Sequence, residues 1–563
     1  MTQNNNYVII DDIPVEINGE KNLLELIRKI NIQLPTFCYH SELSIYGACR
    51  MCMVENEKGG LEAACSTPPK PGMVIKTNTE RLRKYRKNIL ELLLANHCRD
   101  CTICSNNGKC KLQDLAMRFN IKLVRYKNTA EFPDIDSSSF SIMKDANKCI
   151  LCGDCVRMCN EIQNVGAIDF TRRGSKMTVS TAFDIPILQS NCVSCGQCAA
   201  VCPTGAIVVK DDTEQVWSVL SDPNCKVTVQ IAPAVRVAVG KEFGLGSGVN
   251  GIGKIVAALK LMGFNEVYDT STGADLTVLE EANEFIGRVE KGEKLPLFTS
   301  CCPAWVKFLE NKYPEFVSNV STCRSPMQMF ASVIKQQAVS GGKRHVHVAI
   351  MPCTAKKSEA KRDEFKVDGV PNVDYVLTTQ EIIQMIKESG IVFEDLEPEA
   401  VDMAYGWMSG AAVIFGVTGG VTEAVLRRVS NNKSNVGLRQ IAYTGIRGLN
   451  GVKETTIPFG DKQLRIAVVS GLKNTTDLIE RIKGGEHFDL VEVMACPDGC
   501  INGGGQPYAT AEERSRRSEG LYAADKLCSI RRSEENPLMM SLYNGVLKGR
   551  VHELLHVDYT KKK

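Results

Sequence analysis

Two stretches of the sequence each carry four cysteines at the spacing Cys-x2-Cys-x2-Cys-x3-Cys. They are CILCGDCVRMC, residues 149–159, and CVSCGQCAAVCP, residues 192–203. In two-cluster ferredoxins, such a run gives three ligands to one 4Fe-4S cluster and its fourth cysteine to the other. The spacing therefore predicts two clusters, and a zinc ribbon is the weaker alternative because zinc has no use for this doubled pattern. The predicted ligand sets are Cys149, Cys152, Cys155 and Cys202, then Cys192, Cys195, Cys198 and Cys159.

Two further groups of metal-binding residues precede these runs. The first has four cysteines at the spacing x10, x2, x12, which fits one loop around a 2Fe-2S cluster, with a zinc site as the alternative. The second, HCRDCTICSNNGKC, follows the apolar helical run ILELLLAN. Because imidazole ligation of cluster iron has precedent, we predict a 4Fe-4S cluster here, although His97 taken alone fits a capping role equally well. Cys98 receives no role. The predicted ligands are Cys38, Cys49, Cys52 and Cys65, then His97, Cys101, Cys104 and Cys110.

The composition indicates a large iron-sulfur protein that transfers electrons. A chain of 563 residues exceeds the length at which one hydrophobic core stops growing, so several domains are expected. The chain has 24 cysteines, many of them at x2 and x3 spacings, and no signal peptide is evident, which favours metal-bound thiolates over disulfides. The 68 basic and 65 acidic residues nearly balance, so no nucleic-acid partner is expected. No apolar run reaches the roughly 18 residues of a membrane span, so we expect a soluble, cytoplasmic protein.

Hydrophobic patterning divides the chain into the domains of a multidomain α/β and α+β protein. The opening runs YVIIDDIPVEI and NLLELIRKI predict a hairpin and a helix, as in a ubiquitin-like 2Fe-2S domain. From about residue 213, β-branched runs such as HVHVAIMPC and FDLVEVMAC alternate with amphipathic helices, which predicts buried parallel strands. Ligands of such folds bind at the carboxyl ends of the strands, where the remaining cysteines fall. The predicted domains are 1–80 (2Fe-2S), 81–125 (helical, with a 4Fe-4S cluster on one histidine and three cysteines), 126–212 (two-cluster ferredoxin) and 213–563 (α/β).

Three motifs of the last domain are TSCCPAW, MPCTAKKSEA and EVMACPDGCINGGGQP. They resemble the signature motifs of the catalytic subunit of FeFe hydrogenases, and the four upstream groups resemble the family's large monomeric clostridial form. The resemblance implies reversible reduction of protons to hydrogen at an H-cluster, a 4Fe-4S cubane joined to a di-iron subsite with carbon monoxide, cyanide and azadithiolate. It further implies one 2Fe-2S and three accessory 4Fe-4S clusters, insertion of the di-iron subsite by hydrogenase maturases, a ferredoxin or flavodoxin as electron partner, and a monomer.

The resemblance also assigns residues around the H-cluster. Cys500 would bridge the cubane to the di-iron subsite, and the glycines after it are expected to leave room for a cofactor larger than a cubane. For the three apolar lining residues, ordinary core packing is the alternative. The cubane ligands would be Cys302, Cys353, Cys496 and Cys500. The other contacts would be Lys356, Ala232 and Pro233 at the cyanides, and Met351, Met494 and Phe415 around an apolar pocket.

A proton path follows from the resemblance as well. Glu281, Glu284 and Arg288 share one stripe of a predicted helix, which taken alone would more often be a solvated surface. In the family, protons pass between a relay cysteine, a glutamate, a serine, a second glutamate and a surface arginine. The arginine stays charged, so we expect it to orient its glutamate instead of carrying the proton. For the cysteine, an inert buried thiol is the alternative. The matching positions are Cys301, Glu281, Ser321, Glu284 and Arg288.

Three other interpretations compete with a catalytic hydrogenase. Cys301 and the GGGQP sequence argue against a non-catalytic relative used in iron-sulfur assembly. A hydrogen-sensing member is expected to carry an attached sensory domain, and the sequence shows none. The large iron-sulfur protein of respiratory complex I lacks the motifs that this chain has after residue 290. Some positions depart from the family pattern and suggest a divergent subgroup. These positions are Ala234, Ala304, Met327, Pro497 and Asp498.

Overall fold

The structure is a computed structural model that describes residues 6–127, 134–338, 341–430, 434–460 and 462–561. The N-terminal elements are β1 (Tyr7–Ile10), β2 (Ile13–Glu16), α1 (Leu23–Lys29), β3 (Met53–Asn56), β4 (Leu61–Ala63) and β5 (Val74–Lys76). The strands form one sheet of order β2-β1-β5-β3-β4. Alternate residues of β1, Val8 and Ile10, pack in one core with Leu23 and Leu26 of α1, as a half-buried strand requires. The predicted opening hairpin and helix are confirmed.

Short elements hold the cysteine-bearing loops between residues 80 and 210. They are α2 (Glu80–Ala95), α3 (Lys111–Arg118), β6 (Ile142–Lys144), α4 (Asp154–Arg157), β7 (Asp169–Thr171), β8 (Thr178–Ser180), α5 (Gln197–Ala200) and β9 (Ile207–Val209). β6 pairs with β9 and β7 with β8, both antiparallel. Gly153 precedes α4 and Gly196 precedes α5, with φ angles of 78° and 71°. Because glycine adopts this left-handed backbone without strain, both cysteine runs make the same turn.

The described residues after 212 build two four-stranded sheets and a small hairpin. The strands are β10 (Cys225–Ile231), β11 (Glu266–Asp269), β12 (Leu297–Phe298), β13 (Arg344–Met351), β14 (Lys366–Val367), β15 (Val370–Pro371), β16 (Tyr375–Thr378), β17 (Val452–Phe459), β18 (Lys462–Ser470) and β19 (Leu490–Met494). The first sheet, β11-β10-β13-β16, is parallel throughout. In the second sheet, β12-β19-β18-β17, the edge strand β17 is antiparallel. The predicted buried parallel strands are confirmed, and with them the mixed fold class.

Helices cover both sheets. They are α6 (Thr213–Ser221), α7 (Ile252–Leu261), α8 (Ser271–Lys291), α9 (Pro303–Lys312), α10 (Pro326–Gln337), α11 (Ala355–Ala360), α12 (Thr379–Glu388), α13 (Gly410–Val413), α14 (Gly420–Val429), α15 (Asn435–Ala442), α16 (Leu472–Lys483), α17 (Ala511–Leu527), α18 (Pro537–Asn544) and α19 (Val551–Leu555). Helix α8 is buried continuously from Ser271 to Ala282 and contacts α10, α13 and α14. Among the described helices, none is both long and apolar enough to span a membrane.

Candidate cluster sites and active site

Each ferredoxin-type cysteine set lines a cavity of its own. Burial raises the pKa of the Cys149 and Cys192 thiols, so their sulfurs lie in a medium of low polarity. In both cavities the fourth cysteine comes from the other run, as in two-cluster ferredoxins. One cavity is bordered by Cys149, Cys152, Cys155 and Cys202, and the other by Cys159, Cys192, Cys195 and Cys198. The structure thus brings the two predicted sets together, and iron ligation by them stays a prediction.

The N-terminal cysteines Cys38, Cys49, Cys52 and Cys65 also lie together. A hydrogen bond with the Cys38 thiol lowers the pKa of Cys49 to about 5, and Cys52 interacts with Cys65 in the same way. The backbone N–H of Phe37 donates to Cys49 Sγ at 3.4 Å. Hydrogen bonds of this kind to cluster sulfurs help to set the reduction potential of the cluster. Within the described ranges, no three Cys, His, Asp or Glu side chains surround a site of the size of a single metal ion.

His97 lies just beyond the end of α2 and borders an open cleft together with Cys98 and Cys104. Burial lowers its pKa, so the imidazole is neutral, which is the form that binds metal. Its Nδ1 atom is buried and has no hydrogen-bond partner among the described residues. Cys110 lies within electrostatic reach of Cys101 and Cys104. The predicted set of one histidine and three cysteines is therefore assembled in one place.

The four accessory groups and the last domain are connected through shared hydrophobic cores. Each core contains cysteines of two or three of these groups, so neighbouring groups share apolar packing. Cys38, Cys49 and Cys110 pack with Cys152, then Cys155 packs with Cys159 and Cys198, and finally Cys195 packs with Cys302 and Cys353. The two N-terminal groups therefore both adjoin the cavity of Cys152, and a single line of groups continues from there into the last domain.

Four cysteines of the last domain converge where strands of both sheets end. Cys302 follows β12 and precedes α9, Cys353 follows β13, and Cys496 and Cys500 follow β19. They interact electrostatically with one another, and burial raises the pKa of each. Cys302 and Cys500 nevertheless retain accessible surface, as does their neighbour Cys301. Because these three residues lie deep within the protein and yet keep accessible surface, we infer an internal space beside them.

The glycines after Cys500 approach the backbone of two other loops closely. A Cβ atom at Gly503 would lie 2.2 Å from the carbonyl oxygen of Pro352, and one at Gly504 would lie 2.3 Å from that of Cys195. The glycines therefore allow backbone-to-backbone packing against the neighbouring loops, and the room for a cofactor stays a prediction. At Gly504 this contact joins the ferredoxin-type loop to the loop of Cys500, which shortens the distance between the two centres.

Replacing Gly504 with alanine is expected to destabilise the protein by about 1–3 kcal/mol, because backbone atoms cannot move aside as a flexible side chain would. Gly287 is the matched control, since a Cβ atom there meets nothing within 4 Å on the exposed side of α8. Alanine at this helical position should stabilise by about 0.5–1 kcal/mol. The measurement is the anaerobic guanidinium unfolding midpoint of both variants. Equal midpoints would show that the backbone at Gly504 tolerates a side chain.

The predicted lining residues separate into two groups. Met494 and Phe415 pack in one core with Cys301 and Cys500, at the internal space. Met351 instead packs in the core of the first sheet with Ala232. Ala232 and Pro233 immediately follow β10, at the same sheet edge as Cys353. The structure thus places Met494 and Phe415 at the site, while Met351 also fits the core-packing alternative.

Lys356 is held beside Cys301. Its ammonium donates to the Cys301 carbonyl oxygen at 3.1 Å and pairs with the Glu359 carboxylate at 2.9 Å. Burial alone would lower the pKa of Lys356, but the Glu359 charge outweighs it and the pKa is raised. Lys356 is therefore a fixed positive charge next to the cysteines of the last domain, and Glu359 supplies the counter-charge that sequence reasoning missed.

The predicted proton-path residues form one cluster around the middle of α8. Ser321 Oγ donates to Glu284 Oε2 at 2.8 Å, and Arg288 pairs with Glu284 Oε1 at 2.5 Å. Burial, then the nearby Glu284 charge, raises the pKa of Glu281 to about 8. Both carboxyl oxygens of Glu281 lack a hydrogen-bond partner of normal geometry among the described residues. Burial, then Glu281, raises the pKa of the Cys301 thiol, so both groups hold their proton at neutral pH.

Comparisons with known proteins agree with these centres. The family described as "Iron only hydrogenase large subunit, C-terminal domain" matches residues 225–504, and the iron hydrogenase small subunit matches residues 511–562. A 2Fe-2S iron-sulfur cluster binding domain matches residues 7–80, the NADH-ubiquinone oxidoreductase-G iron-sulfur binding region 86–125, and a 4Fe-4S dicluster domain 148–206. The NADP-reducing hydrogenase subunit HndD of Solidesulfovibrio fructosivorans is 40% identical over 99% of both chains.

The chain belongs to the iron-only hydrogenase family. Iron hydrogenase 1 of Clostridium pasteurianum is 35% identical over 98% of this chain and 100% of its own length. A solved structure of the [FeFe]-hydrogenase HydA1 from Chlamydomonas reinhardtii covers 62% of this chain and 98% of its own, with 36% identity and a TM-score of 0.52. The resemblance found in the motifs is therefore confirmed, and the chain is an oxidoreductase of the hydrogenase type that carries iron-sulfur domains.

Two buried side chains of this hydrogenase lie near Cys500 and were not predicted. Gln506 donates through Nε2 to the Ala234 carbonyl oxygen at 3.0 Å and to that of Cys500 at 3.4 Å. Glu492 accepts from the backbone N–H groups of Gly419 at 2.6 Å and Thr422 at 2.7 Å. It therefore caps α14, where a carboxylate is favoured by the helix dipole. Gln506 stands inside the GGGQP motif, but no local signal marks Glu492, because its partners are distant in sequence.

The departures from the family pattern have unequal surroundings. Ala304 and Met327 are fully buried in the hydrophobic cores. Ala234 is also buried, and it packs against Cys500. Asp498 is the exception, because it brings a charge to the loop between Cys496 and Cys500 and adopts a left-handed backbone with φ 65°. The effect of this charge depends on its partners, which come from other parts of the chain.

Proposed function

We propose that the chain catalyses the reversible reduction of protons to molecular hydrogen. The observation that carries the proposal is the convergence of Cys302, Cys353, Cys496 and Cys500 with the thiol of Cys301 and the buried cluster of Glu281. When bound, the H-cluster, a 4Fe-4S cubane with a di-iron subsite bearing carbon monoxide, cyanide and azadithiolate, supplies an open iron site and a base for making and splitting hydrogen.

The residues around the internal space fit such a cofactor. The four converging cysteines are the sulfur donors that a cubane requires. Cys301, Cys302 and Cys500 keep accessible surface within the protein, while Phe415 and Met494 close the space with apolar side chains. Lys356 provides a buried positive charge, as an anionic cofactor needs. Cys302, Cys353, Cys496 and Cys500 would hold the cubane, and Lys356 with the Ala232–Pro233 backbone would hold the cyanides.

Protons would move along the cluster of α8. Cys301 and Glu281 are both protonated at neutral pH, so either can donate a proton and take one back. Ser321 connects to Glu284 by a hydrogen bond, and Arg288 holds the Glu284 carboxylate in place. Arg288 stays charged and therefore orients Glu284, from which protons exchange with solvent. The sequence of transfers would be Cys301, Glu281, Ser321, Glu284.

Electrons would reach the active site through one 2Fe-2S and three accessory 4Fe-4S clusters. The shared hydrophobic cores place both N-terminal groups next to the cavity of Cys152, so two entrances would join there. The path would then pass the cavity of Cys198 and reach Cys353 through Cys195. Low-potential thiolate clusters, at about -400 mV for plant-type ferredoxins, lie where the proton/hydrogen couple lies at neutral pH, which suits both directions.

Anaerobic expression without maturases is expected to give an inactive protein with all five iron-sulfur clusters. Metal analysis should then find about 18 iron atoms per chain, as one 2Fe-2S and four 4Fe-4S clusters require. Co-expression with the maturases should restore hydrogen production and uptake and add infrared bands of bound carbon monoxide and cyanide. A content of about 8 iron atoms per chain, with zinc at the remaining cysteine sites, would contradict the cluster assignment. Full iron without those bands or activity after maturation would favour the non-catalytic relative.

The electron partner is proposed to be a ferredoxin or flavodoxin, with the chain acting as a cytoplasmic monomer. The relative HndD supports an alternative, since its name describes one part of an NADP-reducing hydrogenase. Electrons would then come from a second polypeptide. Anaerobic affinity purification from the native cell, followed by assays with ferredoxin, flavodoxin and NADPH as donors, separates the two possibilities. Activity with NADPH only when co-purified chains are present would replace the monomer by a complex.

A further inference from the structure

A buried arginine joins the loop between Cys496 and Cys500 to the N-terminal domain. Arg514 lies in the first turn of α17, and its side chain is only 9% exposed. Its Nε atom is 2.5 Å from Asp498 Oδ2, and its Nη2 atom pairs with Glu42 Oε1. We call these three residues the arginine bridge. Within it, Glu42 and Arg514 are 472 positions apart along the chain.

Both carboxylates of the arginine bridge lie in loops that carry cluster cysteines. Asp498 is between Cys496 and Cys500, and Glu42 is in the loop that connects Cys38 to Cys49. The side chain of Asp498 is 13% exposed and that of Glu42 is 32% exposed, so solvent screens both charges only in part. The bridge therefore places one positive and two negative charges between a catalytic loop and an accessory loop.

We propose that Arg514 is a positioning residue that partly neutralises the Asp498 charge beside the catalytic cubane. Because Arg514 also pairs with Glu42, this neutralisation depends on the position of the 2Fe-2S domain. The proposal rests on the proposed function, because it needs a cubane at Cys496 and Cys500. A fixed negative charge beside a cluster disfavours the added electron, and a positive charge favours it. Glu42 competes with Asp498 for the same guanidinium, so the accessory domain sets how fully Asp498 is neutralised.

Other charged groups near the bridge have partners of their own. Lys453 is within electrostatic reach of Asp498, but its ammonium donates to the carbonyl oxygens of Thr418 at 2.9 Å and Gly448 at 2.8 Å. His40 faces Glu42 and Arg514, and burial lowers its pKa, so the ring is neutral. Among the described residues, Arg514 is therefore the cation that contacts Asp498 directly.

The loop of Glu42 has a second set of anchors that does not involve Arg514. Ser44 Oγ donates to Glu161 at 2.6 Å, and Arg157 donates to the Cys38 carbonyl oxygen at 2.9 Å. These contacts hold the loop on the ferredoxin-type domain. Ser44→Ala removes one hydrogen bond of this loop, leaves the Arg157 contacts that hold the loop in place and changes no charge near Asp498, so it serves as the matched control.

The test is a redox titration of the catalytic cubane followed by electron paramagnetic resonance. The full chain is expressed without maturases, and the cubane signal is the one that Cys302→Ala removes. Arg514→Gln should lower the midpoint potential, because Asp498 loses its counter-charge. Asp498→Asn should raise it, and Glu42→Gln should raise it less. The double variant Asp498→Asn with Arg514→Gln should lie near the wild type, as should Arg514→Lys and Ser44→Ala.

A merely structural role would give a different pattern. The proposal is overturned if Arg514→Gln and Asp498→Asn shift the potential in the same direction, if neither shifts it, or if Glu42→Gln has no effect. If Arg514→Gln does not fold, Arg514→Lys and Glu42→Gln still decide. Absence of any signal that depends on Cys302 would contradict the proposed function and leave no cubane for the bridge to act on, so the two failures are distinguishable.

Discussion

Replacing Cys301 with alanine is expected to lower turnover at least about 100-fold in both directions, in line with the loss of a positioned acid-base group. The thiol faces the internal space, packs with Cys500 and Met494, and lies within electrostatic reach of Glu281. Alanine has no exchangeable proton, so the path between the cofactor and Glu281 would be interrupted. Because Cys301 is not among the four converging ligands, the variant should still load its cofactor. Infrared bands of carbon monoxide and cyanide measure this loading.

Cys323 is the matched control for Cys301. It is a fully buried thiol near the same carboxylates, with its Sγ atom 4.0 Å from Glu284 Oε2, but it lies outside the proposed sequence of transfers. Cys323→Ala should keep turnover near that of the wild type. A loaded Cys301→Ala variant with unimpaired turnover would move the proton entry elsewhere, and equal losses in both variants would point to packing around Glu284.

Local spacing explains why the accessory sites were predictable. A cluster takes its ligands from cysteines that are only a few residues apart, so Cys149, Cys152 and Cys155 carry most of their site in one turn. The fourth ligand, Cys202, followed from the doubled motif. The strands that deliver Cys353 and Cys496 were also visible, because fully buried parallel strands are continuous runs of β-branched residues.

Contacts between distant segments were not predictable from the sequence. The close approach of Gly503 to the backbone of Pro352, and of Gly504 to that of Cys195, could not be predicted. These neighbours are roughly 150 and roughly 300 positions away along the chain, and no local pattern encodes such an approach. The same holds for Glu492, whose carboxylate caps a helix 70 residues upstream at Thr422.

Charge partners were the other part that sequence patterns could not supply. Asp498 taken alone is an unpaired negative charge next to cubane ligands. The structure pairs it with Arg514, which in turn pairs with Glu42 from the opposite end of the chain. The charge that acts on the cysteines depends on these pairings, so Asp498 considered alone overstates the effect on the cubane.

Glu281→Gln is expected to lower turnover at least about 100-fold as well, and it tests whether the Glu281 carboxyl is protonated in the working enzyme. Burial and Glu284 raise the pKa of Glu281 to about 8. Below that pH the wild-type carboxyl is protonated and can donate. Above it the carboxylate cannot, so proton reduction should fall as the pH rises through about 8. The glutamine amide is neutral at every pH, so the residual activity of the variant should lack this inflection.

The same pKa has a consequence for stability that does not depend on activity. A carboxyl whose pKa is raised by folding contributes stability below its unfolded value, near about 4.5, and loses that contribution as the pH rises to its folded value. Wild type should therefore lose stability relative to Glu281→Gln between about pH 4.5 and about pH 8. Paired unfolding curves of the two proteins across this range measure the difference. A constant difference would mean that Glu281 is ionised in the folded protein, and the carboxyl could not then be the proton donor to Cys301.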